Sequence, residues 1–153
     1  MHIDQSYSGA ELIVHMHFPF LAPTLFVPNG PRWCIINLWR PVSTIYKDPL
    51  AIASASSVPD SDLVEGMVMY TKQTPPVNGN RTWTILPGEG HRWYYKNEQR
   101  PDEVWLVKCF DSKDTPGLAR RTPHCAFTDP EREGDGFADR ESVEVRAVLV
   151  FDR

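Results

Sequence analysis

Short runs of β-branched and aromatic residues, separated by prolines and glycines, set the strongest limit on how this chain folds. The chain has 14 prolines and 9 glycines in 153 residues, and such residues end strands and occupy turns. Eight runs have strand character: residues 32–39, 50–58, 67–72, 81–86, 92–96, 103–110, 122–127 and 141–151. Strands at this spacing predict an all-β domain, namely a β-sandwich, a jelly roll or a small barrel. No long amphipathic helices separate the runs, which disfavours a parallel α/β sheet.

Local patterns refine this expectation. In the last run, alternation predicts one apolar face and one polar face. The apolar face holds Val143, Val145, Ala147 and Leu149, and the polar face holds Ser142, Glu144 and Arg146. Residues 10–14 could begin a short helix, whereas the proline-broken segment 15–28 is predicted to be irregular or edge-like. Residues 74–76 (TPP) are predicted to form a loop.

Length and charge exclude several classes of protein. A chain of 153 residues with a net charge of −4 fits a single domain, residues 1–153, and has no basic run for a phosphate backbone. We therefore expect no nucleic-acid partner. No apolar run approaches the roughly 20 residues that span a bilayer, and no signal peptide is apparent, so we expect no membrane partner.

The three cysteines, Cys34, Cys109 and Cys125, are widely spaced. No C-x-x-C pair is present, which excludes a zinc knuckle and a thioredoxin-like motif. Cys34 and Cys109 lie in apolar runs, where a thiol usually behaves as a small buried hydrophobe. We expect all three thiols to be reduced and the protein to be cytoplasmic.

His2, Asp4 and His124 form the pattern with the clearest chemical meaning. Two histidines and one carboxylate make the facial triad of non-haem Fe(II) oxygenases, which leaves positions on iron for a 2-oxo acid and dioxygen. The spacing of His2 and Asp4 suits a strand, because alternate residues point to one face. Alone, His-x-Asp is a weak motif that solvated terminal residues would also produce.

Arg140 follows His124 by sixteen residues, and Ser142 lies two residues further on. An arginine and a hydroxyl at this point would bind the distal carboxylate of a 2-oxo acid through a charge-assisted pair. The order His-x-Asp, His, Arg-x-Ser strengthens the iron hypothesis beyond any one of its parts.

Seven blocks of sequence carry a resemblance to a known family. They are residues 2–10 (HIDQSYSGA), 32–41 (RWCIINLWRP), 49–58 (PLAIASASSV), 91–95 (HRWYY), 101–112 (PDEVWLVKCFDS), 119–130 (ARRTPHCAFTDP) and 140–151 (RESVEVRAVLVF). In this order they resemble the fungal hydroxylase/desaturase family, which is related to a cephalosporin methoxylation subunit and a gibberellin desaturase. The resemblance runs nearly from end to end of the chain.

The resemblance implies a double-stranded β-helix, that is, a cupin-like jelly roll with at most one or two short helices. It also implies an oxygenase or desaturase that uses Fe(II) and 2-oxoglutarate on a small natural product in secondary metabolism. The metal ligands implied are His2, Asp4 and His124. The carboxylate anchors are Arg140 and Ser142, with Arg146 as a rival, and Asn37, Trp39 and Arg40 would line or brace the pocket.

Members of that family are about twice as long as this chain. Functions other than that of a complete oxygenase are therefore also compatible with the sequence. The chain could be completed by a second subunit, could have lost its metal chemistry, or could be a fragment. A metal-independent cyclase, pericyclase or ligand-binding barrel would use Tyr94, Tyr95, Arg40 or Arg146 as hydrogen-bond donors. A non-catalytic partner subunit is a third hypothesis. Because a half-length jelly roll leaves strand edges unpaired, we also expect a homodimer.

Overall fold

Nine strands and two helices make up the computed structural model, which describes residues 1–70, 77–132, 134 and 136–152. The helices are α1 (Tyr7–His17) and α2 (Ala22–Leu25). The strands are β1 (His2–Ile3), β2 (Trp33–Pro41), β3 (Leu50–Ala53), β4 (Leu63–Tyr70), β5 (Val77–Ile85), β6 (Trp93–Tyr95), β7 (Trp105–Asp111), β8 (His124–Ala126) and β9 (Ser142–Val150). Single 3₁₀ turns cover Ala55–Ser57 and Asp60–Asp62.

The strands form two antiparallel sheets. One has six strands in the order β4-β5-β1-β8-β3-β6, and the other has three in the order β7-β2-β9. The chain passes repeatedly between the two sheets, since β2, β7 and β9 lie in the three-stranded sheet and the strands between them lie in the six-stranded sheet. Two antiparallel sheets joined in this way are typical of a jelly roll, and the predicted fold class is confirmed.

All eight predicted strands are present, with changed boundaries. The strand expected at 50–58 ends at Ala53, because the serines that follow form a 3₁₀ turn in which Ser57 Oγ donates to the Ser54 carbonyl oxygen. Such local bonds compete with a sheet ladder. The strand expected at 67–72 begins earlier, at Leu63, while its last two residues and the loop 74–76 lie outside the described residues.

The prediction of an irregular segment at 15–28 was wrong in part. Helix α1 continues to His17, and α2 forms at Ala22–Leu25 with a proline in its first turn. A proline is tolerated there because the first helical amides have no partner within the helix. Phe18 and Phe26 of this segment pack on the core, which stabilises the helices despite the proline content.

The junction between β1 and α1 is fixed tightly to β5. Ser6 caps α1 by accepting a hydrogen bond from the Gly9 amide at 3.0 Å, and the Ser6 amide donates to the Arg81 carbonyl oxygen at 2.7 Å. A side chain at Gly9 would place its Cβ 2.1 Å from that same oxygen, so only glycine fits. The residues immediately before Ser6 are thereby held against the six-stranded sheet.

The largest hydrophobic cluster lies between helix α1 and the inner face of the three-stranded sheet. Ala10 and Val14 of α1 are fully buried against Trp33 and Ile35 of β2 and Val107 of β7. This packing closes one end of the molecule. No helix among the described residues is long and apolar enough to cross a membrane.

The outer face of the three-stranded sheet is apolar and exposed. Leu38 lies opposite Leu106 on one side and Val145 on the other, and these side chains are 40%, 68% and 60% exposed. The predicted alternation of β9 is therefore present, but its apolar face points outwards. Single apolar residues are common on protein surfaces, whereas a contiguous apolar patch is typical of a surface that another molecule covers.

Candidate metal centre

The two histidines of the predicted triad face each other on neighbouring strands. His2 of β1 lies directly opposite His124 of β8, and their ring centroids are 4.6 Å apart. Asp4 follows two residues after His2 and shares its face of the strand. One ligand atom from each of the three residues lies within 4.8 Å of the others. The fold thus brings together residues that are 120 positions apart in sequence.

The two oxygens of Asp4 have separate environments. Oδ1 lies 3.1 Å from His2 Nε2 and 3.5 Å from His124 Nε2. Oδ2 accepts hydrogen bonds from Asn37 Nδ2 at 2.6 Å and from Arg146 Nη2 at 2.8 Å. One oxygen is held by the three-stranded sheet while the other is presented to the two histidines.

Hydrogen bonds and charge keep Asp4 ionised. Burial alone would raise the pKa of Asp4, but hydrogen bonds from His124 and His2 and the charge of Arg146 lower this pKa well below its usual range. For His124, burial would lower the pKa, yet its bonds to Asp4 and to the Thr122 carbonyl oxygen raise it. An anionic carboxylate beside two imidazoles is the donor set that a divalent transition metal prefers.

The orientation of the His124 ring is set by a hydrogen bond at Nδ1, the ring nitrogen that does not face Asp4. Its Nδ1 lies 3.0 Å from the Thr122 carbonyl oxygen, and because a carbonyl only accepts, Nδ1 carries the proton of that bond. In the neutral ring Nε2 then has a free lone pair, as a metal ligand requires. His124 is 6% exposed, so its ring has little freedom to turn away.

Asn37 is the centre of a network that sequence reasoning predicted only in part. Fully buried on β2, it donates to Asp4 and to Glu144 Oε1 at 2.9 Å, and its Oδ1 accepts from Arg146 Nε at 3.0 Å. Glu144 was not predicted as a site residue. The signal was available, because Glu144 shares the polar face of its strand with Arg146.

Cys109 also contacts the site. Its Sγ lies 3.7 Å from Asp4 Oδ2, and burial followed by the negative charge of Asp4 raises the pKa of its thiol. The expectation of a buried, protonated thiol agrees with this environment. The contact between Cys109 and Asp4 could not be inferred from the sequence. A periodic pattern shows which residues share a face of a strand, but not which residues of other strands lie against that face.

Other predicted site residues lie elsewhere. Arg140 Nη1 donates to the Asp48 carbonyl oxygen at 2.8 Å, with its guanidinium 5.6 Å from the Trp39 ring. Ser142 lies opposite Pro41 at the exposed start of β9. Arg40 is exposed on the outer face and donates to the Pro101 carbonyl oxygen at 2.9 Å. The structure does not bring these three residues to the triad.

The two predicted tyrosines lie on opposite faces of β6. Tyr94 is opposite Ile52 of β3, and Ile52 is opposite His124, so Tyr94 shares a face with that histidine. Tyr95 points to the other face, where its ring packs edge-on against Phe127 at 5.0 Å. Of the two, only Tyr94 is on the triad side of the sheet.

Two surface cavities lie away from the triad. Their volumes are about 510 and 520 Å³, and residues such as Phe137 line one and Tyr7 the other. None of His2, Asp4 and His124 lines either cavity.

Comparison with known proteins supports the resemblance. A family model described as "YDMC: Oxidoreductase/YMDC permease-like domain" matches residues 1–151. Hydroxylase/desaturase efuI of Hormonema carpetanum is 40% identical over 99% of this chain and 51% of its own length. Hydroxylase/desaturase asaB of Aspergillus flavus is 41% identical over 79% of this chain and 56% of its own.

A solved structure shows the same fold. The iron and alpha-ketoglutarate-dependent endoperoxidase NvfI is 29% identical, with a TM-score of 0.82 over 98% of this chain and 52% of that one. The chain thus spans about half the length of the relatives it matches. On these matches, the chain belongs to the oxidoreductase family that the model describes and is a relative of the fungal hydroxylase/desaturases.

Proposed function

We propose that this chain carries the iron and 2-oxoglutarate site of an oxygenase or desaturase that acts on a small natural product in secondary metabolism. The observation that carries the proposal is the convergence of His2, Asp4 and His124 within 4.8 Å. The names of the relatives support it, since several are alpha-ketoglutarate-dependent dioxygenases. In this proposal residues 1–153 act as one jelly-roll domain.

The three residues would hold Fe(II) through His2 Nε2, His124 Nε2 and Asp4 Oδ1. Their donor set, two neutral nitrogens and one carboxylate oxygen, fits a non-haem iron. When bound, iron with 2-oxoglutarate would activate dioxygen, the oxidant, to break an unactivated C–H bond. The protein contributes the fixed carboxylate, the oriented imidazoles and a surface on which the substrate lies.

Arg146 is our choice as the anchor of the 2-oxoglutarate carboxylate. Its guanidinium is within 3 Å of Asn37 and Asp4, and an arginine fork matches a carboxylate in geometry as well as charge. Arg140 and Ser142 remain predictions without a contact to the triad. Ser142 lies on the same face of β9 as Arg146 but four residues away, about 13 Å along the strand, and Arg140 precedes β9.

The exposed apolar residues Leu106, Leu38 and Val145, on the outer face of the three-stranded sheet, support a homodimer in which they are covered. β9 is also the last strand of its sheet, and an edge strand offers unpaired backbone groups. The three free thiols fit a reducing, cytoplasmic compartment. A cytoplasmic homodimer is therefore part of the proposed function.

The test is iron-dependent turnover of 2-oxoglutarate. The purified chain with Fe(II), ascorbate and 2-oxoglutarate in air is expected to form succinate slowly without a further substrate. The reaction should stop with a chelator and in the His124→Ala variant. Succinate formation that is absent in the folded wild-type protein, or unchanged in the variant, would contradict the proposal. A reaction on a substrate that persists with chelator and without oxygen would favour the metal-independent cyclase.

A further inference from the structure

The strand register places the two histidines in the middle of a continuous row. One residue from each strand of the six-stranded sheet lies opposite the next: Val64, Thr84, His2, His124, Ile52 and Tyr94. Residues directly opposite in antiparallel strands project from the same face. All six side chains therefore point to the side of the sheet on which the triad lies.

His124 is the buried member of the row, at 6% exposed. Its neighbour His2 is exposed, and so are the two end residues, Val64 at 47% and Tyr94 at 55%. Asn37 and Arg146 of the other sheet lie above Asp4, beside the centre of the row. The row thus forms a continuous surface that passes the three residues of the proposed metal centre.

The two ends of the row differ in chemistry. On the His124 side, Ile52 and Tyr94 offer an apolar side chain and an aromatic ring. On the His2 side, the hydroxyl oxygens of Thr82 and Thr84 lie 3.7 and 3.9 Å from the position that a Cβ of Gly66 would occupy. Gly66 has no side chain to cover them, so both hydroxyls remain available to a ligand.

We propose that this row is the substrate floor and that Ile52 and Thr84, which flank the two histidines, determine which molecules are accepted. The assignment rests on the proposed oxygenase function and names the substrate class of that site. From Thr84 to Ile52 is three strand spacings, about 14 Å. The floor therefore fits an elongated, mostly apolar molecule with an oxygen at one end. The oxygen lies over Thr84, and the apolar end lies over Ile52 and Tyr94.

Two probes test the floor without knowledge of the natural substrate. 4-Hydroxybiphenyl is an elongated apolar molecule with one terminal oxygen, and biphenyl lacks that oxygen. In methyl NMR spectra of the metal-free chain, 4-hydroxybiphenyl is expected to shift the methyl signals of Ile52, Val64 and Thr84. Ile36, on the outer face of the other sheet, is the internal control. Shifts at Ile36 without shifts at Ile52, or no shifts with either probe, would overturn the proposal.

Tyr94 and Tyr95 provide a matched pair of variants. Both are exposed, at 55% and 45%, so either truncation should leave the fold intact. Tyr94→Ala is expected to raise the Kd of 4-hydroxybiphenyl about tenfold, and Tyr95→Ala to leave it within about twofold. Equal changes in this Kd in the two variants would contradict the assignment of the binding surface to the Tyr94 face of the sheet.

Thr84→Val separates the polar end from the apolar end. The substitution keeps the shape and removes the hydroxyl, so the Kd of 4-hydroxybiphenyl should rise about threefold to tenfold while that of biphenyl stays unchanged. An equal rise in the Kd of 4-hydroxybiphenyl and of biphenyl would contradict a hydrogen bond between Thr84 and the terminal oxygen. Iron binding is measured separately. A chain that binds the probes on the row but no iron would refute the proposed function and leave the floor standing.

Discussion

Asn37 donates from Nδ2 to Asp4 Oδ2 at 2.6 Å, on the oxygen of Asp4 that does not face the histidines. This bond joins the two sheets at the proposed metal centre. It fixes the rotation of the carboxylate, so that Oδ1 remains the oxygen nearest His2 and His124. Loss of a partner that orients a metal ligand in this way typically lowers metal affinity about tenfold to 100-fold.

Asn37→Ala is therefore expected to weaken Fe(II) binding about tenfold to 100-fold while the chain stays folded. Val107→Ala is the matched control, because Val107 lies opposite Asn37 on β7 and is also buried. Both truncations cost stability, but only the first should change the Kd of iron, measured by anaerobic calorimetry. If both variants bind iron equally well, Asn37 has a packing role alone.

Arg146→Lys should raise the Kd of 2-oxoglutarate about tenfold to 100-fold in the iron-loaded, anaerobic protein. A lysine keeps the charge but loses the paired N–H groups that match a carboxylate. Arg140→Lys serves as the comparison and should change the Kd by less than about threefold. The opposite ranking would make Arg140 the anchor, as the order of residues in the sequence first suggested.

Asp111→Asn should destabilise the chain at neutral pH by about 3 kcal/mol, because it breaks a buried ion pair. Asp111 is fully buried and accepts from Arg32 Nε at 3.0 Å and Lys108 Nζ at 2.9 Å. Burial would raise the pKa of Asp111, but these partners lower it below 3.8. A lowered folded pKa means that the stabilisation is present above the unfolded value and is lost as the pH falls below it.

Urea unfolding at pH 7 and at pH 3 checks this prediction. The gap in unfolding free energy between wild type and Asp111→Asn should narrow at the lower pH. Asp102→Asn is the control, because Asp102 is an exposed partner of Arg100, and its effect on the unfolding free energy should be much smaller than that of Asp111→Asn. A gap that is constant with pH would show that Asp111 contributes through shape alone.

Leu106→Asp should separate the proposed homodimer into single chains, because it places a charge at the most exposed of the three apolar residues, next to Leu38. Light scattering of the wild-type chain is expected to give about twice the chain mass of 17.5 kDa. Leu12→Asp, at an exposed position of α1, should leave the dimer unchanged. A wild-type mass equal to one chain contradicts the dimer.

The sequence was sufficient for the strands and for the choice of three residues that the fold brings together, because local periodicity predicts strands and an ordered motif singles out His2, Asp4 and His124. Their role as metal ligands stays a prediction. The hydrogen-bond network behind them was harder to infer. Asn37, Glu144 and Cys109 come from three different strands, and their convergence near Asp4 depends on sheet pairing that no local pattern encodes. The same limit explains why the apolar face of β9 points outwards. Alternation separates two faces, but the residues that pack against a face decide which one is buried.

Titration of the anaerobic, metal-free chain with Fe(II) tests the central claim most directly. The account predicts that wild-type protein binds one Fe(II) per chain. It also predicts that His124→Ala loses this binding, whereas Tyr95→Ala, on the opposite face of the sheet, retains it. Folded wild-type protein that binds no iron, or iron binding that survives in His124→Ala, would contradict a metal centre formed by His2, Asp4 and His124.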